Sequence, residues 1–159
     1  MDRILIDFTL EKKQIVYLKK TFHNEYLIFG AMKKQLKQVT EFHNTYKLPV
    51  RETPTLYNPI DNAYLRHRLM HEENEEYLQA VKDNNLEEVA DALGDMLYIL
   101  CGTILDHGMQ YKIEEIFDEI HRSNMSKLDK NGQPLYREDG KVIKGPNYFK
   151  PNIGEILKK

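Results

Sequence analysis

Apolar residues recur at helical spacing through most of the chain, and the places where that spacing lapses mark its joints. From about Leu10 to Tyr46 the sequence is helix-rich with a break near His23 and Asn24, while the first ten residues suit a short strand or a loose arm. "KLPVRETPTLYNP", residues 47–59, holds three prolines and predicts a connecting loop. A helix is expected from Asp61 or Asn62, either of which can cap it, to about Lys82. "KDNN" interrupts the pattern, and a second helix runs from Leu86 to Asp106. "DHG" stops it, with Gly108 suited to the left-handed position after a helix. "YKIEEIFDEIHRSNM" reads as a further amphipathic helix with Ile113, Ile116, Phe117 and Ile120 on one side. Beyond it, the turn dipeptides Asn131-Gly132 and Asp139-Gly140 predict a small hairpin or an ordered loop. The pattern specifies an all-α fold, a bundle of four to five helices with a turn-rich C-terminal tail or small hairpin. Residues 1–36 form an N-terminal helical extension, 37–128 a helical core and 129–159 a basic tail.

Facing follows from the advance of about 100° per helical residue. In the first of the paired helices, Leu65, Leu69, Met70, Tyr77, Ala80 and Val81 define an apolar arc. Glu73 falls inside that arc, Glu76 on its flank and Glu72 at its edge, whereas Glu75 points away. The second helix is apolar around most of its circumference, from Val89 to Leu105, and is expected to be buried. One narrow line remains on it, made of Glu88, Asp91, Asp95, Tyr98 and Gly102. A linker as short as "KDNN" favours antiparallel packing, which turns the Glu73 and Glu76 face toward Asp91 and Asp95.

Like charges about 4 Å apart repel by several kcal/mol at an effective dielectric near 20. Such a cluster must be protonated, paired with bases or neutralised by a cation. The two helices offer few bases, so a divalent cation is the economical answer, and all-oxygen ligands select Mg²⁺ or Mn²⁺ over zinc. Two plainer roles stay open. Glu88 stands three residues after Asn85 and fits a capping box. Glu72 can pair with Arg68 or Arg66 along its own helix.

Composition narrows the classes. With 41% hydrophobic and 30% charged residues and a formal net charge of -2, the chain has a soluble globular profile rather than a disordered, fibrous or membrane one. No apolar run approaches the roughly 20 residues that span a bilayer. "MDRILIDFTLEKKQ" places charge where a signal peptide carries its apolar segment. A single cysteine, Cys101, excludes an intramolecular disulfide framework and fits a reducing cytoplasm. The balanced charge gives no global reason to expect nucleic-acid binding. Its distribution is uneven, however. Acids dominate from Glu72 to Asp95, and Arg122, Lys127, Lys130, Arg137, Lys141, Lys144 and Lys150 follow. That order suits a metal held by one region and an anion by the other, set against the plainer reading of solvated surface charge.

The motif Glu72-Glu73-Asn74-Glu75-Glu76, followed by a second acidic helix and "DMLYIL", resembles the all-α nucleoside triphosphate pyrophosphohydrolase superfamily. That group includes the MazG-like enzymes, the dimeric dUTPases and phosphoribosyl-ATP pyrophosphohydrolase. "QVTEFHNTYKLPVRETPT" and "HRSNMSKLDKNGQPLYREDGKVIKGPNYFKP" resemble its phosphoribosyl-ATP pyrophosphohydrolase-like branch, and the similarity spans roughly Gln38 to Ile153. The usual second motif is Glu-x-x-Asp. If Asp95 supplies its Asp, Ala92 stands where the Glu belongs; alternatively Glu88-x-x-Asp91 is the motif and Asp95 is auxiliary. A site using both Asp91 and Asp95 is expected.

The resemblance implies Mg²⁺ held by Glu73, Glu76, Asp91 and Asp95, with Glu72 accepting a proton from the attacking water. The products would be a nucleoside monophosphate and pyrophosphate. Asn124 and Lys127 of "SNMSK", with Lys141 and Lys144, would meet base and phosphates, helped by Arg66 or Arg68. Tyr98 and Tyr148 would stack on a base. The resemblance also implies a homodimer or homotetramer. Two other readings remain: phosphoribosyl-ATP hydrolysis in histidine synthesis, and a non-catalytic nucleotide- or metal-binding helical protein.

Overall fold

The computed structural model describes residues 32–56 and 61–159. The expected N-terminal arm, the helix break near His23 and most of the 1–36 extension lie outside these residues. The chain divides into two compact units, Met1–Leu48 and Pro49–Lys159.

In the first unit, helix α1 covers residues 32–45 and buries Leu36, Val39 and His43, spaced three and four apart and therefore on one stripe. Its end is closed by paired backbone bonds. Leu48 N–H donates to the His43 carbonyl at 2.7 Å and Lys47 N–H to that of Asn44 at 3.4 Å. This closure puts Lys47 at φ 58, the left-handed position that glycine usually fills.

The second unit holds α2 (Asp61–Lys82), α3 (Leu86–Asp106), α4 (Ile113–Met125) and α5 (Ile153–Lys158). Helices α2 and α3 form an antiparallel hairpin whose turn is written in two asparagines. Asn84, at φ 53, takes the left-handed position after α2. The Asn85 N–H donates to the Ala80 carbonyl at 3.0 Å. Its side chain accepts from the N–H groups of Glu87 and Glu88 and so caps α3.

At the far end the same closure recurs at Gly108. Met109 N–H bonds Ile104 and Gly108 N–H bonds Leu105, with Gly108 at φ 66. A Cβ there would lie 2.1 Å from the Thr53 carbonyl oxygen, so only glycine fits. The loop after Pro49 is clipped onto this end. Arg51 N–H donates to Leu105 at 3.0 Å, Thr55 N–H to His107 at 2.9 Å, and Gln110 Nε2 to the Arg51 carbonyl at 2.8 Å.

The core of this unit gathers Ala80, Ala92, Cys101, Ile104, Leu105, Ile116 and Ile156. Full burial of one such Leu or Ile side chain contributes about 1.5–3 kcal/mol. Burial pushes the Cys101 thiol up, away from thiolate chemistry. The expectation that α3 is buried throughout is corrected here. Apart from Ala92, its buried residues lie between Cys101 and Asp106. Leu86, Leu93, Leu97 and Leu100 stay exposed, because among the described residues α3 is covered fully only at its C-terminal end. On α4, too, Ile116 is buried while Phe117 is two-thirds exposed.

The tail is ordered by α4. Ser123 Oγ donates to the Phe149 carbonyl at 2.7 Å, Phe149 N–H to Ser126 Oγ at 3.2 Å, and Gly145 N–H to Lys127 at 2.9 Å. Gly145 is pressed so close that a Cβ would meet the Leu128 carbonyl oxygen at 2.1 Å. The expected hairpin is small: a single antiparallel bridge, Tyr136 to Val142, around the turn at Gly140. Helix α5 is an element that the sequence pattern missed. It is pinned where Asn152 N–H donates to Glu119 at 2.8 Å, and this bond and Arg122 hold the Glu119 carboxyl below its ordinary range. Among the described residues the fold is all-α, and no helix is long and apolar enough to cross a membrane.

Candidate active site

The α2–α3 hairpin carries the acids. Its register is fixed by two anchors, the Asn84-Asn85 turn at one end and Asp106 at the other. Asp106 is 3% exposed and accepts from Arg51 Nη1 at 2.7 Å and from Arg66 Nε at 3.0 Å. Arg51 Nη1 also donates to the Asp106 carbonyl. A buried carboxylate between two guanidinium groups has its charge compensated and its lone pairs used.

Seven residues beyond Arg66, about 10 Å along α2, stands Glu73. It is half-buried, and its Oε2 atom is buried without a hydrogen-bond partner. Burial, then the charges of Glu76, Asp95, Glu72 and Asp91, push its carboxyl above the ordinary glutamate range. The charges acting on it are all carboxylates from the two facing helices. Glu72, Glu76, Asp91 and Asp95 are themselves solvent-exposed. An anion driven together with four others, one oxygen of it orphaned, is a group that lacks a counter-charge.

The donor set is entirely hard oxygen, which fits a hard divalent cation such as Mg²⁺ or Mn²⁺. Among the described residues no three His, Cys, Asp or Glu side chains are drawn together around one metal-sized position. The carboxylates share a face without being closed around a point.

Glu88 is exposed and lies on the same line of α3 as Asp91. Its backbone N–H reaches Asn85 Oδ1 at 3.3 Å, but the Asn85 N–H goes to Ala80 rather than to the Glu88 side chain. The reciprocal bond of a capping box is therefore replaced, and the carboxylate is left to other uses. Arg66 is committed to Asp106. Tyr98 is exposed on α3, one turn after Asp95.

Asn124, exposed, is the penultimate residue of α4, and Lys127 follows at the junction with the tail. Lys141 sits in the hairpin, its N–H donating to Asp139 at 3.1 Å. Lys144 lies over the Tyr148 ring at 4.3 Å, and Arg122 over Phe149 at the same distance. None of these bases is among the charges acting on Glu73. A cavity lined by Glu115, Asp118, Glu119, Arg122, Ile156 and Lys159 contains no residue of α2 or α3.

The clamp at Asp106 is the feature that sequence reasoning missed. A signal for it exists: an acid in the last turn of a helix opposes the helix dipole, and α3 has no base in its last turn. Such an acid calls for a partner from elsewhere in the fold.

Residues 39–124 match the family model described as phosphoribosyl-ATP pyrophosphohydrolase, a stretch that includes α2, α3 and most of α4. The chain is also 31% identical, over 124 residues, to an uncharacterised protein of Acanthamoeba polyphaga mimivirus. That alignment covers 76% of this chain and 45% of the viral protein, so the chain spans less than half the length of the curated relative it matches.

Proposed function

The chain belongs to the phosphoribosyl-ATP pyrophosphohydrolase family, and on that premise we propose that it is a metal-dependent nucleoside triphosphate pyrophosphohydrolase. The observation that carries this reading is Glu73: a half-buried carboxylate with an orphaned oxygen, amid Glu76, Asp95, Glu72 and Asp91. Glu73, Glu76, Asp91 and Asp95 would hold Mg²⁺ or Mn²⁺, with Glu88 next in line on α3. When bound, the cation neutralises phosphate charge and acidifies a water.

The chain's own residues supply the remainder. Glu72, exposed at the edge of the face, accepts the proton of the attacking water at its carboxylate. That water's oxygen bonds to phosphorus as the bridge between the α- and β-phosphates breaks. A nucleoside monophosphate and pyrophosphate leave. Asn124 offers an amide to base or phosphate, and Lys127, Lys141 and Lys144 offer positive charge to the polyphosphate. Arg66 acts on the site through Asp106 rather than by reaching for phosphate.

Phosphoribosyl-ATP is the second substrate reading, favoured by the description of the matching family model. Assembly as a homodimer or homotetramer is supported by α3. Leu86, Leu93, Leu97 and Leu100 fall within a 60° arc opposite Asp91, and they are 80%, 51%, 40% and 45% exposed. A leucine stripe of this kind is a surface that a second copy would cover. The buried free thiol of Cys101 accords with work in a reducing cytoplasm.

The test is a panel of standard and modified nucleoside triphosphates and phosphoribosyl-ATP, incubated with Mg²⁺ or Mn²⁺ and assayed for pyrophosphate. Turnover that EDTA abolishes is expected. Saturable cation binding with no turnover of any substrate would leave the non-catalytic binding protein as the better reading.

A further inference from the structure

The hard-oxygen face occupies one side of α2; the opposite side carries a different donor set. His67 and His71 stand one helical turn apart, both exposed, with ring centroids 6.3 Å apart and planes 29° from parallel. Glu75 continues the same line, its Oε1 3.9 Å from His71 Nδ1. At about 100° per residue, His71 lies roughly 160° around the helix from Glu73. The two sets therefore cannot serve one ion. The other described histidines are placed differently: His43 is buried, His107 meets the Thr55 carbonyl at 2.8 Å, and His121 is on α4.

We propose that His67 and His71 form a second metal site on α2, selective for a borderline divalent cation such as Zn²⁺, Ni²⁺ or Cu²⁺. Imidazole nitrogens suit these ions, whereas Mg²⁺ and Mn²⁺ prefer the oxygen face. Spacing of four residues on a helix is how one face offers two imidazoles to a single ion. The rings already lie side by side. A shared ion would take one nitrogen from each ring at a bond length of about 2.0–2.1 Å, reached by turning each ring about its broad χ2 torsion. Glu75 stands on the Nδ1 side of His71, which leaves Nε2 as the nitrogen facing a shared ion's approach from solvent. Water fills the remaining positions, so the site is open and of moderate affinity. A cation there ties together the turn of α2 that leads into Glu72 and Glu73, and it stabilises the folded chain by mass action.

The experiment uses untagged, metal-free full-length protein titrated with Zn²⁺ by calorimetry in excess Mg²⁺, which occupies the oxygen face. One Zn²⁺ per chain is expected. The site should persist in Glu73→Gln/Glu76→Gln, which separates this claim from the proposed activity. His67→Gln and His71→Gln, both on the exposed surface, should each weaken binding by roughly a factor of ten or more while leaving the helical circular dichroism unchanged. Retention of the protein on immobilised Ni²⁺ should fall in the same order. A His67→Gln/His71→Gln protein that binds Zn²⁺ as tightly as the wild type, or a wild type that binds none under Mg²⁺, would overturn the proposal.

Discussion

Replacing Asp106 by alanine removes the shared partner of two guanidinium groups. Arg66 is 13% exposed and Arg51 29%, so neither recovers full hydration when the carboxylate goes. Deleting one partner of a buried ion pair costs about 3–5 kcal/mol. The partial exposure of Arg51 places this case near the lower figure, about 3 kcal/mol. For a chain of 159 residues that corresponds to a fall in Tm of about 6–12 °C. Asp106→Asn keeps the shape and one acceptor, and it should lose less, about 1–2 kcal/mol. The assay is urea unfolding followed by far-ultraviolet circular dichroism, at one fixed protein concentration because assembly would shift the midpoint. Arg66→Met in the Asp106→Leu background completes a double-mutant cycle and should recover part of the loss. A loss under about 1 kcal/mol for Asp106→Ala would refute the idea that this clamp holds α2 and α3 in register.

Three further outcomes follow from other parts of the molecule. Gly145→Ala would drive a Cβ into the backbone at Leu128, so the tail must move off the end of α4; trypsin should then cut between residues 127 and 150 faster than in the wild type, with α2 and α3 still helical, and an unchanged cleavage rate would contradict this. The raised pKa of Glu73 means that its ionisation opposes folding: the penalty is absent below the ordinary glutamate value of 4.5, grows as pH rises through the raised folded value, and is constant above it. In EDTA, Glu73→Gln should therefore be more stable than wild type at neutral pH and equal to it below 4.5, as read by urea melts across that range. Leu93→Glu/Leu97→Glu should convert an oligomer to monomer in sedimentation velocity, and a wild type that already sediments as a monomer would remove the role proposed for the leucine stripe.

The helices of the hairpin are legible because their ends are local. Asn85 caps α3, Asn84 and Gly108 take left-handed positions, and each is decided by its own side chain and a few neighbouring carbonyls. The shared face of Glu73, Glu76, Asp91 and Asp95 is equally legible, since helix periodicity and a short turn suffice to derive it. Partners distant in sequence are harder to read. Arg66 is bound to Asp106, 40 residues away, and nothing in its own neighbourhood announces that. Helix α5 has only six residues and too little periodicity to register. The exposure of Leu93 and Leu97 was hidden for a different reason: apolarity around a helix says that it needs cover, not that its own chain provides it.

The most direct test compares wild type with Glu73→Gln/Glu76→Gln for pyrophosphate release from the best substrate in Mg²⁺, with circular dichroism confirming that both are folded. Removing two charges from the proposed ligand set should reduce kcat/KM by about 10²-fold or more and raise the Mg²⁺ concentration required for half-maximal rate. Full activity with an unchanged Mg²⁺ requirement in the double variant would contradict the assignment of the acidic face as the active site.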